Sequence, residues 1–168
     1  MPDQHPRAFT HVGLTVSDIE AAMEWYADVL DFEVLAAPTT IDRTDGLRWR
    51  RVVDLLGVEC NAVRVGNMTT GNQVGVEFFE FDATEGTTDT APAEPGFFHI
   101  GLLDPEIEQL ARRIDDRGGE HYSQIWELSS PATRATYCRD PWDNRIELYT
   151  QSHERFHVAG VAETDDER

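Results

Sequence analysis

The stretch Phe97-Phe98-His99-Ile100-Gly101-Leu102 decides how this chain is read, because Phe9-Thr10-His11-Val12-Gly13-Leu14 has already said nearly the same thing 88 residues earlier. Ile19-Glu20 returns as Ile107-Glu108 at that same offset. A second echo closes each half. Val76-Glu77-Phe78-Phe79 is answered by Ile146-Glu147-Leu148-Tyr149 at an offset of 70, so the second copy is shorter by about a loop. Recurrence in fixed order marks one supersecondary unit used twice. Each copy opens with a histidine on an apolar strand and closes with a glutamate on another.

The segments between these echoes are read from their periodicity. Phe9, Val12, Leu14 and Val16 predict a buried first strand over 8–16. Ser17-Asp18-Ile19-Glu20 has the form of a capping box, with the serine hydroxyl and the glutamate carboxylate satisfying the first free amides of a helix. Ile19, Met23, Tyr26 and Leu30 then fall at helical spacing, so a helix over 18–30 is expected, ended by Asp31 where glycine would be the easiest stop. Phe32–Leu35 is a short second strand closed by Pro38, and Leu47–Leu56 is a short helix or lid stopped by Gly57. Strands over 60–65 and 74–81, joined by a hairpin turn over 66–71, complete the first module. In the second, a strand from Gly96 to Leu103 leads to a helix starting at Asp104-Pro105, with Ile107, Leu110 and Ile114 buried and Gly118-Gly119 as the stop. Short strands over 122–124 and 134–138, a turn over 140–144 and a last strand over 145–150 follow.

The expected fold class is therefore α+β, two tandem βαβββ modules. The boundaries are a flexible leader (1–7), a first module (8–82), a linker without periodicity (83–95), a second module (96–151) and an acidic tail (152–168).

Charge narrows the partners. Thirty-two acids face fourteen bases, every base is arginine, and the net charge is −18. Such a field repels nucleic acid phosphates and anionic membranes, so neither is an expected partner. An acidic surface without lysine fits proteins that stay hydrated in concentrated salt, and a halophilic source is the expectation. The two cysteines, Cys60 and Cys138, have no metal-like spacing and read as packing residues. No basic-then-apolar leader and no membrane-length segment is visible, and a soluble cytoplasmic protein is expected.

His11, Glu77, His99 and Glu147 carry the chemistry. Alternate residues of a strand face one side, so each of these polar groups points away from its apolar neighbours. A carboxylate set in an apolar strand is costly unless it is paired or binds a cation. One such histidine would more often be a satisfied core residue, but four at repeat-related positions favour a metal. Two imidazoles and two carboxylates suit Zn²⁺, Ni²⁺, Co²⁺, Mn²⁺ or Fe²⁺.

On these residues the chain resembles a known family. Thr10-His11-Val12-Gly13-Leu14-Thr15-Val16-Ser17-Asp18, Trp25-Tyr26-Ala27-Asp28-Val29-Leu30-Asp31-Phe32, Val76-Glu77-Phe78-Phe79, Phe98-His99-Ile100-Gly101-Leu102 and Asp140-Pro141-Trp142-Asp143-Asn144-Arg145-Ile146-Glu147-Leu148 are similar to the vicinal oxygen chelate superfamily, across residues 8–151. Glyoxalase I, methylmalonyl-CoA epimerase, extradiol dioxygenases and bleomycin- or fosfomycin-resistance proteins belong to it. The resemblance implies a curved mixed sheet around a central metal. It also implies that His11, Glu77, His99 and Glu147 match the glyoxalase I ligand order. Asp31 stands where the family usually has a glycine, and Trp142-Asp143 replaces its usual small-residue turn.

The chemistry so implied is proton transfer next to a carbonyl, with the metal as Lewis acid stabilising an enediolate and a carboxylate moving the proton. Glu147 resembles the base position, with Glu77 second. Trp49, Arg51, Tyr122 and Trp126 are candidate substrate contacts, with His121 and Arg50 beside them. A low-molecular-weight thiol is a candidate co-substrate, and a homodimer is expected. Two rival readings stand beside this one: a ring-cleaving dioxygenase of extradiol type, and a drug- or metabolite-binding protein that catalyses nothing.

Overall fold

The structure, a computed structural model, describes residues 8–57, 60–82, 96–128 and 132–155. The leader, the linker and most of the acidic tail lie outside the described residues. The chain falls into two compact units, one on either side of residue 86. Each carries a mixed sheet with a helix on one face, so the α+β class and the duplication both hold.

The first unit runs β1 (His11–Thr15), α1 (Ile19–Leu30), β2 (Glu33–Asp42), α2 (Leu47–Leu56), β3 (Ala62–Thr69) and β4 (Gly75–Phe81). Its sheet has the order β1-β4-β3-β2, with β1 parallel to β4 and the other pairs antiparallel. Ile19, Ala22, Met23, Tyr26 and Val29 of α1 are buried, together with Leu14, Met68, Val76 and Phe78 of the strands. Tyr26 meets the Phe78 ring edge-on at 5.0 Å, and each large side chain so buried contributes about 1.5–3 kcal/mol. Asp18, one residue later than the serine expected, caps α1 by accepting from the Ala21 amide. The next orphan amide, that of Ile19, donates to the Glu80 carboxylate on β4, which ties the start of the helix to the sheet (2.9 Å). Asp31 does end the helix, at φ 55° in the left-handed region.

Two sequence expectations are corrected here. The second strand does not close at Pro38 but runs ten residues through it. Proline is tolerated because β2 is the sheet edge and its pairing with β3 shifts register between Ala36 and Thr39. Gly66 is not in the hairpin turn but inside β3, under α1, where an added Cβ would lie 2.3 Å from Met23 Sδ. Glycine is needed there for the close approach of helix and strand. The turn falls between β3 and β4, at residues 70–74.

The second unit runs β5 (Ile100–Leu103), α3 (Ile107–Asp116), β6 (Glu120–His121), β7 (Trp126–Glu127), β8 (Arg134–Arg139) and β9 (Arg145–Tyr149). Its sheet has the order β5-β9-β8-β6, with β7 also on β8, and β5 is parallel to β9. Ile107, Ala111 and Ile114 of α3 are buried, as are Thr136, Cys138, Ile146 and Leu148 of the sheet. The helix starts three residues later than Asp104, which instead accepts from the Glu106 amide in the preceding turn. The strand expected over 122–124 lies at Glu120–His121, and β7 was not expected at all. Two-residue strands carry too little alternation to be read from sequence.

The duplication reaches the hydrogen bonds of the turns. The Gln73 amide donates to the Thr70 carbonyl, and the Asp143 amide to that of Asp140; Gln73 and Asp143 have φ of 65° and 70°. The Thr70 hydroxyl and the Asp140 carboxylate accept from the amides of Val74 and Asn144. Each partner in one turn stands 70 residues from its counterpart in the other.

Candidate metal centre

Strand register explains where the four polar groups go. In the first unit Gly13 lies opposite Glu77 across the parallel β1/β4 pair, so His11, two residues before Gly13, shares the Glu77 face. The second unit repeats this, with Gly101 opposite Glu147 and His99 two residues before it. The His11 and Glu77 side chains come within 3.5 Å (Nε2 to Oε2), and those of His99 and Glu147 within 3.2 Å. In both units the apolar neighbours turn to the other face and pack under the helix. The structure thus brings the proposed ligands together as two histidine–glutamate pairs, one per unit. No group of three or more His, Cys, Asp or Glu side chains of metal-binding geometry occurs among the described residues.

The surroundings of the pairs differ. His11 and Glu77 are 54% and 36% exposed, with Thr10 Oγ1 2.9 Å from His11 Nδ1. His99 and Glu147 are 28% and 13% exposed. The Phe98 ring meets the His99 imidazole edge-on at 4.5 Å, and Tyr137 meets it at 5.7 Å. Tyr137 lies directly opposite Glu147 on the antiparallel β8/β9 pair. Burial first, and then hydrogen bonding to the Glu147 carboxylate, pushes the Tyr137 phenol well above its ordinary pKa. Burial followed by the Glu147 charge also raises the Tyr149 phenol.

Neither tyrosine was singled out from sequence. The signal was there in the alternation of β9, where Arg145, Glu147 and Tyr149 share one face while Ile146 and Leu148 are buried on the other.

The candidate substrate contacts divide. Tyr122 packs 6.3 Å from the Tyr137 ring, carries the Arg139 guanidinium over its own ring at 5.1 Å, and so joins the surroundings of the second pair. Trp126 is paired with Ala135, which is opposite Tyr149, so it shares the Glu147 face and is 59% exposed. Trp49 and Arg51 are on α2, which buries no residue and packs on β2, at the opposite edge of the sheet from His11. His121 faces the other side and bonds Thr136 Oγ1 at 2.8 Å, a packing role.

Two βαβββ units, each presenting an imidazole and a carboxylate at one register position, define a class of duplicated proteins with a histidine–glutamate face. The chain belongs to the Glyoxalase/Bleomycin resistance protein/Dioxygenase superfamily, whose family pattern matches residues 8–148. No match was found among curated proteins. Among solved structures, a glyoxalase family protein from Bacillus cereus is similar with a TM-score of 0.73 at 16% identity, over 89% of this chain and 97% of that one. Glyoxalase I from Zea mays is similar with a TM-score of 0.58 at 16% identity, over 86% of this chain but 44% of the maize chain. The fosfomycin resistance protein FosX from Mesorhizobium loti has a TM-score of 0.54 at 16% identity, over 92% of this chain and 99% of that one. At these identities the likeness is one of fold.

Proposed function

We propose that the protein is a metal-dependent lyase or isomerase of glyoxalase type, acting on a small oxygenated substrate. The observation that carries this reading is the recurrence of a partly exposed imidazole–carboxylate pair at the same register position in both units. A neutral imidazole and a carboxylate are both metal donors, and two such pairs make a mixed nitrogen and oxygen set suited to Zn²⁺, Ni²⁺, Co²⁺, Mn²⁺ or Fe²⁺. His11, Glu77, His99 and Glu147 would hold the ion, within one chain or across a homodimer. Bound there, the ion would supply Lewis-acid polarisation of substrate oxygens. The chain's own part is to hold the imidazoles in place and to move a proton at a carboxylate oxygen next to the substrate carbonyl. Tyr122 and Trp126 would contact the substrate from the second unit, and Trp49 and Arg51 from α2. A low-molecular-weight thiol is a candidate co-substrate. The absence of lysine and the charge of −18 fit a salt-rich cytoplasm, where melting temperature should fall as salt is dialysed away.

The test begins with elemental analysis of protein purified without added metal. Protein reloaded with each divalent ion is then assayed on 2-oxoaldehyde–thiol adducts, acyl-CoA epimers and catechols. Metal-dependent isomerisation of an adduct, abolished by chelator, is the expected result. Oxygen uptake with a catechol would establish the dioxygenase reading instead. Tight ligand binding with no metal and no turnover would establish the sequestering one.

A further inference from the structure

The side of α3 turned away from its buried stripe of Ile107, Ala111 and Ile114 carries two contiguous depressions. The first, of about 480 Å³, lies at the start of the helix and is lined by Asp104, Pro105, Glu106, Gln109, Leu110 and Arg113. The second, of about 360 Å³, continues to the helix end and is lined by Gln109, Arg112, Arg113, Asp116 and Arg117. Apolar Pro105 and Leu110 thus give way to three arginines against one aspartate. Cations in a last turn complement the helix dipole. That attraction needs no depression, however, and it does not explain why three of fourteen basic residues gather here in a chain of charge −18.

The chain itself passes the rim of the first depression. β9 ends at Tyr149, whose carbonyl accepts from the Asp104 amide at 2.8 Å. The next amide, that of Thr150, donates to the carbonyl of Arg134, whose guanidinium pairs with Glu108 in the first turn of α3. The backbone is therefore held beside the start of α3. Thirteen residues, 156–168, follow the last described one, and they fall into two halves. Phe156 to Ala162 holds no acid and no arginine and includes Phe156, Val158 and Val161, whereas Glu163 to Arg168 holds four acids and one arginine. Apolar first and charged second is also the order of the depressions. Reach is sufficient: the ten residues of α3 span about 15 Å, and thirteen residues cover about 20 Å even as a helix.

We propose that residues 156–168 dock along this side of α3, with Phe156, Val158 and Val161 in the depression lined by Pro105 and Leu110, and with Glu163, Asp165, Asp166 and Glu167 against Arg112, Arg113 and Arg117. Charge sets the direction, since Asp104 and Glu106 at the near end repel the acids and the arginines at the far end attract them. Exposed ion pairs contribute little singly, and at about 1 M salt their range shrinks to about 3 Å, so the uncharged half supplies the hold and the arginines the alignment. α3 packs on the sheet face that buries Cys138, Ile146 and Leu148, so the docked segment leaves the Glu147 face uncovered and needs no metal.

The experiment uses the full chain at the lowest salt that keeps it folded, with a nitroxide spin label on Thr164→Cys; mass spectrometry checks that the buried Cys60 and Cys138 are unmodified. Amide NMR signals of Arg112, Arg113 and Arg117 should lose more intensity to the label than those of any other described residues. Asp165→Lys with Asp166→Lys, which alters no residue of the described fold, should restore those signals. Broadening centred elsewhere, broadening spread evenly over both units, or a pattern unchanged by the two lysines overturns the docking. So does broadening of α3 that appears only when spin-labelled protein is mixed with isotope-labelled protein lacking the nitroxide, because the segment would then come from a second copy.

Discussion

Replacing Gly119 by alanine should destabilise the second unit, and the size of the effect can be worked from the backbone. Gly119 sits where α3 ends and β6 begins, and its amide donates to the Ile114 carbonyl at 3.0 Å. A Cβ there would lie 2.4 Å from the Arg139 carbonyl oxygen and 2.6 Å from Ile114 Cγ2. Ordinary contact begins near 3.4 Å, so about 1 Å of movement is required. The nearer atom is backbone. Arg139 is paired with Glu120 across β8/β6, so the movement must either part those strands or unseat the end of α3. Overpacking of this kind costs about 1–3 kcal/mol. Alanine also restricts the unfolded chain, which returns about 0.4–1 kcal/mol. The net loss is about 1–2 kcal/mol, or about 2–8 °C in melting temperature for a chain of this size. Gly71→Ala is the control, since nothing lies within 4 Å of its Cβ and it has no positive φ; it should melt at or slightly above the wild-type temperature. Thermal melts followed by far-ultraviolet circular dichroism decide the matter. A Gly119→Ala protein as stable as wild type would refute the close approach.

Three further outcomes follow from the same geometry. Asp18→Ala removes the side-chain acceptor for the Ala21 amide and should lower stability by about 1 kcal/mol in urea titrations, while Asp18→Asn should retain most of it. Hydrogen bonds from the backbone of Ala62 and Asn61 hold the Asp82 carboxyl below the ordinary aspartate range. A depressed folded value contributes stability that is present above the unfolded value and lost as pH falls through the folded one, so the Asp82→Asn protein should show a smaller drop in urea midpoint between about pH 7 and pH 3 than wild type. Burial, aided by the charge of Asp115, pushes the Cys138 thiol up to about 12, so an aromatic disulfide reagent at about pH 8 should leave it unmodified until the protein is unfolded.

What could be read from sequence, and what could not, follows the length of the signal. The four proposed ligands and the doubling were legible because His11, Glu77 and Glu147 sit in strands of five residues or more whose alternation fixes their face, and His99, just before the four-residue β5, follows from the repeat. Asp31 and Gly57 were legible as helix ends, and both have φ in the left-handed region. Pro38 misled because proline reads as a stop unless the strand is known to be an edge, and edge status is a property of the finished sheet. Gly66 misled for a related reason: the demand for a missing side chain comes from Met23, 43 positions away on another element, not from a local turn. Tyr137 and Tyr149 escaped because an aromatic at a strand position reads first as core. Only the pairing of Tyr137 with Glu147 across β8/β9 shows that its hydroxyl has a charge to meet.

The register also explains why the repeated element is His-x-Gly rather than histidine alone. In β1 and β5 the glycine stands opposite the glutamate of the parallel neighbour, and a side chain there would lie over the carboxylate. At Gly13 the space a Cβ would take is already bounded by the Phe79 ring at 3.3 Å, whereas at Gly101 nothing lies within 4 Å. The first copy thus has a hydrocarbon ring beside its glycine, and the second has open space beside its own. Duplication conserved the ladder, a backbone feature, and the turn hydrogen bonds, in which a threonine hydroxyl in one copy and an aspartate carboxylate in the other accept the equivalent amide. Divergence fell on the residues facing the carboxylates: Asn67 stands opposite Glu77, and Tyr137 opposite Glu147.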